Sequence, residues 1–398
     1  MRKKKQLGGI LESPAAESLL SSLLSILMGL VIGLIILLIC NAETAFPAIK
    51  TIATGGFGLS GFPKTMGRIC YYAVPLIMCG LSVGFAFKTG TFNIGASGQY
   101  VAGAFTAILV THLIGGVTGS FTWIIAILAG AVAGGVVGMI PGLLSAYRNV
   151  NIIISGLMMN FIATYGVSFL IKKIDLIYSA QKSTTQSIPS ELVLPKVGLD
   201  KLFPVGGSGT AGANIGILIA IAMGVVVYIV LNRTVFGFEL RTCGANRFAA
   251  KNAGIKENRA IVISMFIAGA LAGIGGGLVY LSSSGINLGV TDTVDGTGFY
   301  GIAVALLGQL NPIGIVAAGA LISYFQVGGS SLQIFGFSAE LIDVIVAAII
   351  FCCAFAQRFG SVIRAGIASR RQAGGAPSGD QTLQETASAQ ESKEEAEQ

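Results

Sequence analysis

Charge is what this chain has least of. Only 11% of its 398 residues are Asp, Glu, Lys or Arg, while 53% are hydrophobic and the mean hydropathy is +0.80. A soluble domain carries roughly 25% charged residues. A chain so poor in charge cannot cover a globular surface of this size, which excludes a water-soluble enzyme. Its 56 glycines follow no G-x-y period, which excludes a collagen-like chain. One His among the whole chain, His112, leaves no basis for a His-rich zinc or di-metal centre. Cys40, Cys70, Cys79, Cys243, Cys352 and Cys353 form no C-x-x-C pair and mostly sit in apolar runs, so they read as small hydrophobes and not as a disulfide framework. There is no phosphate-binding P-loop, because Lys64-Thr65 and Lys88-Thr89 both lack the upstream glycines. If ATP drives this protein, ATP and its Mg are bound by a partner, and this chain needs no cofactor of its own. Carboxylates are equally scarce inside the apolar runs: Glu340 and Asp343 lie in the last of them, and Glu43 flanks the first. Proton- and sodium-coupled pumps keep acids in the membrane as relays and ion sites.

What is present is apolar and segmented. A bilayer core about 30 Å thick takes ~20 residues of helix to cross. Ten runs qualify or come close: Leu19–Cys40, Tyr71–Phe87, Gln99–Ile114, Phe121–Ile140, Ile152–Ile171, Ile215–Leu231, Ala260–Leu281, Phe299–Leu310, Ile313–Val327 and Ser338–Ala356. The reading is an all-α polytopic integral membrane protein of about ten transmembrane helices. The two short runs joined by Asn311-Pro312 are either tilted spans or one re-entrant hairpin. The basic stretch 1–18 precedes a first run read as a retained span, 19–358 is the transmembrane domain, and 359–398 is an acidic, low-complexity tail expected to be disordered. Most of the 25 basic residues fall in the segments that place both termini in the cytoplasm of a cell-membrane protein. The net charge of +7 is therefore an orientation signal and not a nucleic-acid footprint. The long segment 172–213, rich in Ser, Gly and Pro, is then extracellular.

The most informative cytoplasmic stretch is 239–255. Asn246 is a candidate N-cap, Arg247–Ala253 makes about two helical turns, and Gly254 suits the residue after a helix. Ala249, Ala250 and Ala253 offer a small smooth face for docking into a groove of another protein, and a solvated connecting helix is an equal reading of the residues. Glu239, Arg241, Gly244, Asn246, Ala249, Ala250 and Gly254 in this order resemble the coupling-helix region of ABC importer permeases for ribose-type sugars, nucleosides and branched-chain amino acids. Three other segments agree in order. Phe92–Gln99 is similar to an N-I-G-x-E-G-Q segment, with Ser97 where Glu is usual. Asn151–Asn160 resembles N-E-V-I-x-T-x-M-L-N of the nucleoside and simple-sugar branch, with Ile152 in place of Glu. Gly298–Gly308 followed by Pro312 resembles G-I-A-V-A-L-L-G…P.

The resemblance implies a transport permease, not an enzyme. It imports a nucleoside or simple sugar with energy from a separate ABC ATPase subunit. Its further expected partners are a second permease subunit (a paralogue or a second copy), an extracellular substrate-binding lipoprotein and membrane lipid. Phe92, Asn93, Gln99, Asn160 and Phe299 are the candidate substrate-pathway residues. Helix-to-helix hydrogen bonding is an equal reading for the amides, and simple packing is the commoner role of the aromatics. The alternative function is an ion-coupled secondary transporter with Glu340 and Asp343 as coupling acids.

Overall fold

The computed structural model describes residues 14–203, 212–283 and 285–354. The tail 359–398 and the first residues of the basic N-terminus lie outside them. One compact unit, Ile26–Ala354, holds the architecture below. Of the other, Met1–Ser25 with Phe355–Gln398, only the first turns of one helix are described.

That helix is α1, Pro14–Cys40, followed by α2 (Ala42–Ala53) and the single turn α3 (Phe57–Ser60). Then come α4 (Phe62–Lys88), α5 (Ala96–Thr118), α6 (Thr122–Arg148) and α7 (Ile152–Lys173). After the short α8 (Leu199–Leu202) follow α9 (Ile215–Arg233), α10 (Val235–Ala245), α11 (Arg247–Asn252), α12 (Glu257–Tyr280), α13 (Thr297–Leu307), α14 (Pro312–Ser330) and α15 (Ala339–Ala354). The protein is all-α and polytopic. Six helical stretches among the described residues have the length and apolarity of a crossing, and Leu27–Cys40 and Thr297–Leu307 are apolar but shorter. A count of ten does not emerge from length and apolarity alone. One of the six stretches, Ala96–Arg148, runs for 53 residues but folds back at the 3-10 turn Gly119–Phe121, so that α5 and α6 pack along each other.

Local chemistry sets the helix ends. Asparagine caps α7, α9 and α14: the Oδ1 atoms of Asn151, Asn214 and Asn311 accept from Ile153 N, Gly216 N and Ile313 N at 2.9, 2.7 and 3.1 Å. Each cap satisfies a donor that the first helical turn leaves free.

Two packed groups make the interior. In the first, α5, α6 and α12 cross at glycines. A Cβ on Gly103 would stand 2.3 Å from Gly273 Cα, and one on Gly273 would stand 2.3 Å from Gly130 O. Without a hydrophobic driving force between helices in lipid, such close backbone approach supplies the packing energy. In the second group, α4 packs against α13 and α14. At 11 residues, α13 is roughly 16 Å long, about half a bilayer core. Its link to α14 is a tight reversal in which Gln309 and Leu310 take left-handed φ of 54° and 57°. The pair is thus a half-length helix joined to a full one. Outward faces of α7 and α9, such as Ile162 and Phe169, are exposed and apolar, as lipid contact requires.

The extracellular segment expected at 172–213 is anchored where it is described. A hairpin pairs β1 (Tyr178–Ser179) with β2 (Thr184–Thr185). Ile177, Ile188 and Leu194 are buried, and Leu194 N donates to Leu281 O at 2.8 Å. These buried apolar side chains, with Ile174, Tyr178, Leu192 and Val193 packed beside them, hold the segment as a cap on the C-terminal end of α12.

Candidate functional site

The connection between α9 and α12, expected on the cytoplasmic side, is built from two capped helices. Thr234 Oγ1 accepts from Gly237 N at 3.0 Å and starts α10. Asn246 ends α10 and caps α11, its Oδ1 accepting from Ala249 N at 3.1 Å. At the far end Gly254 has φ +83°, with Gly254 N donating to Lys251 O and Ile255 N to Ala250 O, both at 3.0 Å. This double bond pattern closes the helix, and only glycine takes that left-handed conformation without cost.

The faces of α11 differ from the three-alanine reading. Ala250 is fully buried against the chain's own body, so it anchors the helix from within. The outward surface is Ala249, Ala253 and above all Phe248, which is 84% exposed. Phe248 follows its N-cap by two positions in a polar stretch, and only the helix register reveals which way it points. Beside α11 runs an open groove of about 400 Å³, lined by Tyr147, Lys251, Lys256, Glu257 and Arg259. Glu239 is exposed, and Arg241 Nη1 donates to Asn232 Oδ1 at 3.3 Å, tying α10 back to the end of α9. Cys243 is buried on the inner side of α10. Burial pushes its thiol up from the ordinary value, Glu257 and Glu239 add to this, and Arg247 opposes it.

Gly244 has a different role from its neighbours. A Cβ there would stand 2.6 Å from Gly90 N and 2.7 Å from Thr89 C, so α10 lies with its backbone directly on the turn that follows α4. That turn is non-helical, with Thr89 and Thr91 buried and Gly90 exposed. Irregular backbone at membrane depth is tolerated where protein covers it. Thr89 and Thr91 are both buried and both hydrogen-bond Ser264 of α12, Thr91 at 3.4 Å. The chain then climbs: Asn93 Nδ2 donates to Ser82 Oγ at 2.9 Å, which places it roughly 9 Å in from the end of α4.

Here the amides converge. Asn93 and Gln99 form a reciprocal pair, Asn93 Nδ2 donating to Gln99 Oε1 at 2.7 Å and Gln99 Nε2 to Asn93 Oδ1 at 2.8 Å. Asn160 of α7 accepts from Gly98 N at 2.8 Å and donates to Ile94 O at 2.9 Å. All three side chains are fully buried. Phe92 packs edge-on against Phe87, with ring centroids 4.8 Å apart. Phe299 stands apart from this cluster, partly exposed in the first turn of α13.

One buried hydroxyl beside the cluster has no hydrogen-bond partner: Ser97 Oγ, in the first turn of α5. Facing it is the start of α13, where a Cβ on Gly298 would stand 2.3 Å from Ser97 N. Two helices therefore begin inside the protein with their amino ends together. The sequence alone marks Ser97 only as an unusual residue in a familiar segment. Its contact with α13, some two hundred positions later, needs the fold.

A family described as branched-chain amino acid transport system / permease component matches residues 65–354. The chain belongs to this permease family. That span runs from the first turn of α4 to the end of α15, and so includes both the α10–α11 helix pair and the buried amide cluster. Among the permease's relatives is the nucleoside ABC transporter permease protein NupB of Lactococcus lactis, 32% identical over 73% of this chain and 79% of its own. The guanosine ABC transporter permease protein NupP of Bacillus subtilis is 32% identical over 76% of this chain and 85% of its own. The glucose ABC transporter permease protein TsgB13 of Haloferax volcanii is also 32% identical, over 81% and 83%. No solved structure matches.

Proposed function

We propose that this permease is the membrane-spanning subunit of an ATP-binding cassette importer that brings nucleosides into the cytoplasm. The observation that carries the reading is similarity over most of the chain to permeases named for nucleoside and guanosine transport. The resemblance of Asn151–Asn160 to the nucleoside and simple-sugar branch supports it. In this reading a separate ATPase binds ATP and Mg and grips the cytoplasmic face at Phe248, Ala249 and the groove beside α11. Glu239, Arg241, Gly244, Asn246, Ala250 and Gly254 hold that face in shape. An extracellular lipoprotein delivers cargo. A second permease subunit, a paralogue or another copy of this chain, completes the pore, and both termini lie in the cytoplasm.

The substrate path runs along the buried turn Phe92–Gln99 to the meeting of α5 and α13 near Phe299. A carboxamide presents a donor and an acceptor side by side, the same kind of edge a nucleobase presents. The Asn93–Gln99 pair is suited to exchange partners with such an edge, because both members can turn to it together and neither leaves a buried polar group unpaired, which would cost about 1–3 kcal/mol; Asn160, bonded to backbone, holds the turn beside it. The scarcity of charge fits a neutral, polar cargo that needs no counter-ion.

The test is uptake of labelled nucleoside by vesicles holding the reconstituted complex. Import that needs internal ATP and the binding protein supports the reading. Concentration of solute by this chain alone on a cation gradient overturns it. The ion-coupled alternative is not favoured by the comparisons. Of its two acids, Asp343 is exposed on α15 and the side chain of Glu340 lies outside the described residues.

A further inference from the structure

The turn Thr89–Thr91 touches four helices at once, and its contacts with α4, α10 and α12 are close. It is fastened to the end of α4, where Thr89 Oγ1 donates to Ala86 O at 2.9 Å and Thr91 N to Ala86 O at 2.9 Å. It is fastened to α12 by the hydroxyls of Thr89 and Thr91 on Ser264. It is pressed by α10, since a Cβ on Gly90, whose φ is +75°, would stand 2.4 Å from Gly244 Cα. Arg247 at the start of α11 reaches it too, Nη2 lying 3.5 Å from Gly90 O. Two residues later the same strand of chain hands over to Asn93 and the buried start of α5.

We infer that Thr89–Thr91 is a rigid strut that carries displacement of the cytoplasmic helix pair into the buried start of α5, with Gly90 and Ser264 as its positioning residues. This rests on the importer reading above. The physical reason is the contact type. Backbone lying on backbone has no flexible side chain to absorb a push, and close-packed interiors transmit strain instead of compressing. A movement of α10 and α11 therefore has two routes inward. One is covalent, through 253–256 into α12. The other is the strut, which moves α4 and α5 in step with α12. Without the strut, α12 would tilt alone while the Asn93–Gln99 pair stayed where it is.

The experiment uses the complete complex in liposomes, with uptake and ATP hydrolysis measured on the same vesicles. Gly90→Ala places a methyl against Gly244. It should lower solute imported per ATP by about tenfold, within the range that positions along a coupling route can produce, while hydrolysis continues. Ser264→Ala removes both hydroxyl contacts without adding volume and covers the case where Gly90→Ala does not assemble. It should lower the same ratio severalfold. Conversely, a disulfide between Thr91→Cys and Ser264→Cys, in a background without the native cysteines, should leave import intact, because a strut moves as one body with α12. An unchanged ratio in both substitutions overturns the inference, as does a disulfide that blocks import until it is reduced. Failure of the importer reading looks different, since wild-type uptake would then ignore ATP.

Discussion

Asn160→Ala separates two roles for one residue. The side chain makes two hydrogen bonds across to the start of α5, accepting from Gly98 N in its first turn at 2.8 Å, buried, and donating to Ile94 O just before it at 2.9 Å, part-buried. Truncation leaves a backbone N–H with no partner, and Asn160 is fully buried, so water cannot replace it cheaply. An orphaned buried donor costs about 1–3 kcal/mol. Interhelical hydrogen bonds within membranes average nearer 0.6 kcal/mol, because the separated helices find other partners. The expected loss is therefore about 1–2 kcal/mol, since both bonds are to backbone that cannot swing away. Unfolding of the purified permease in mixed micelles measures it, and transport kinetics on the folded fraction accompany it. If Asn160 only holds α7 to the turn, stability falls while turnover and KM per folded transporter stay near wild type. If it also contacts cargo, KM rises beyond what lost protein explains. Wild-type stability in Asn160→Ala would refute the reasoning altogether, because the two bonds would then contribute nothing.

Four further outcomes follow from the same geometry. Gly273→Val puts side-chain atoms where even a Cβ would lie 2.3 Å from Gly130 O, so α6 and α12 must separate; the variant should give aggregated rather than monodisperse protein on size-exclusion chromatography. Phe248→Ser removes the most exposed aromatic of α11 and should weaken capture of the ATPase subunit by about tenfold, leaving the permease itself folded. Because burial raises the Cys243 thiol, its thiolate should be scarcer than that of an exposed cysteine, and maleimide labelling should lag behind that of Phe248→Cys and need a higher pH to reach the same rate. Leu194→Asp buries a charge under the cap on the end of α12 and should expose residues 172–203 to added protease, with the packed helices unaffected.

Composition alone determined that this chain lives in a membrane. With 11% charged residues no aqueous fold is possible, and lipid then demands helices whose backbone bonds close within themselves. Local sequence also carried the helix ends, because a cap is a contact between near neighbours: Asn246 with Ala249, and Gly254 after Arg247–Asn252, are legible from spacing. Asn93, Gln99 and Asn160 could be singled out as amides in an apolar setting. Their pairing could not, since Asn160 reaches the turn before α5 only because α7 packs beside α5. Periodicity gave the two turns of α11 but not their rotation, and so Ala250 turned inward and Phe248 outward. The short runs after 298 left a span and a half-helix indistinguishable, because both are apolar. What decided between them was where α13 begins, against Ser97 and not at the membrane edge. Strut, amide cluster and paired helix starts all depend on chain segments far apart in sequence. Long-range contact of that kind is a property of the packed fold, which neighbour-to-neighbour chemistry does not encode.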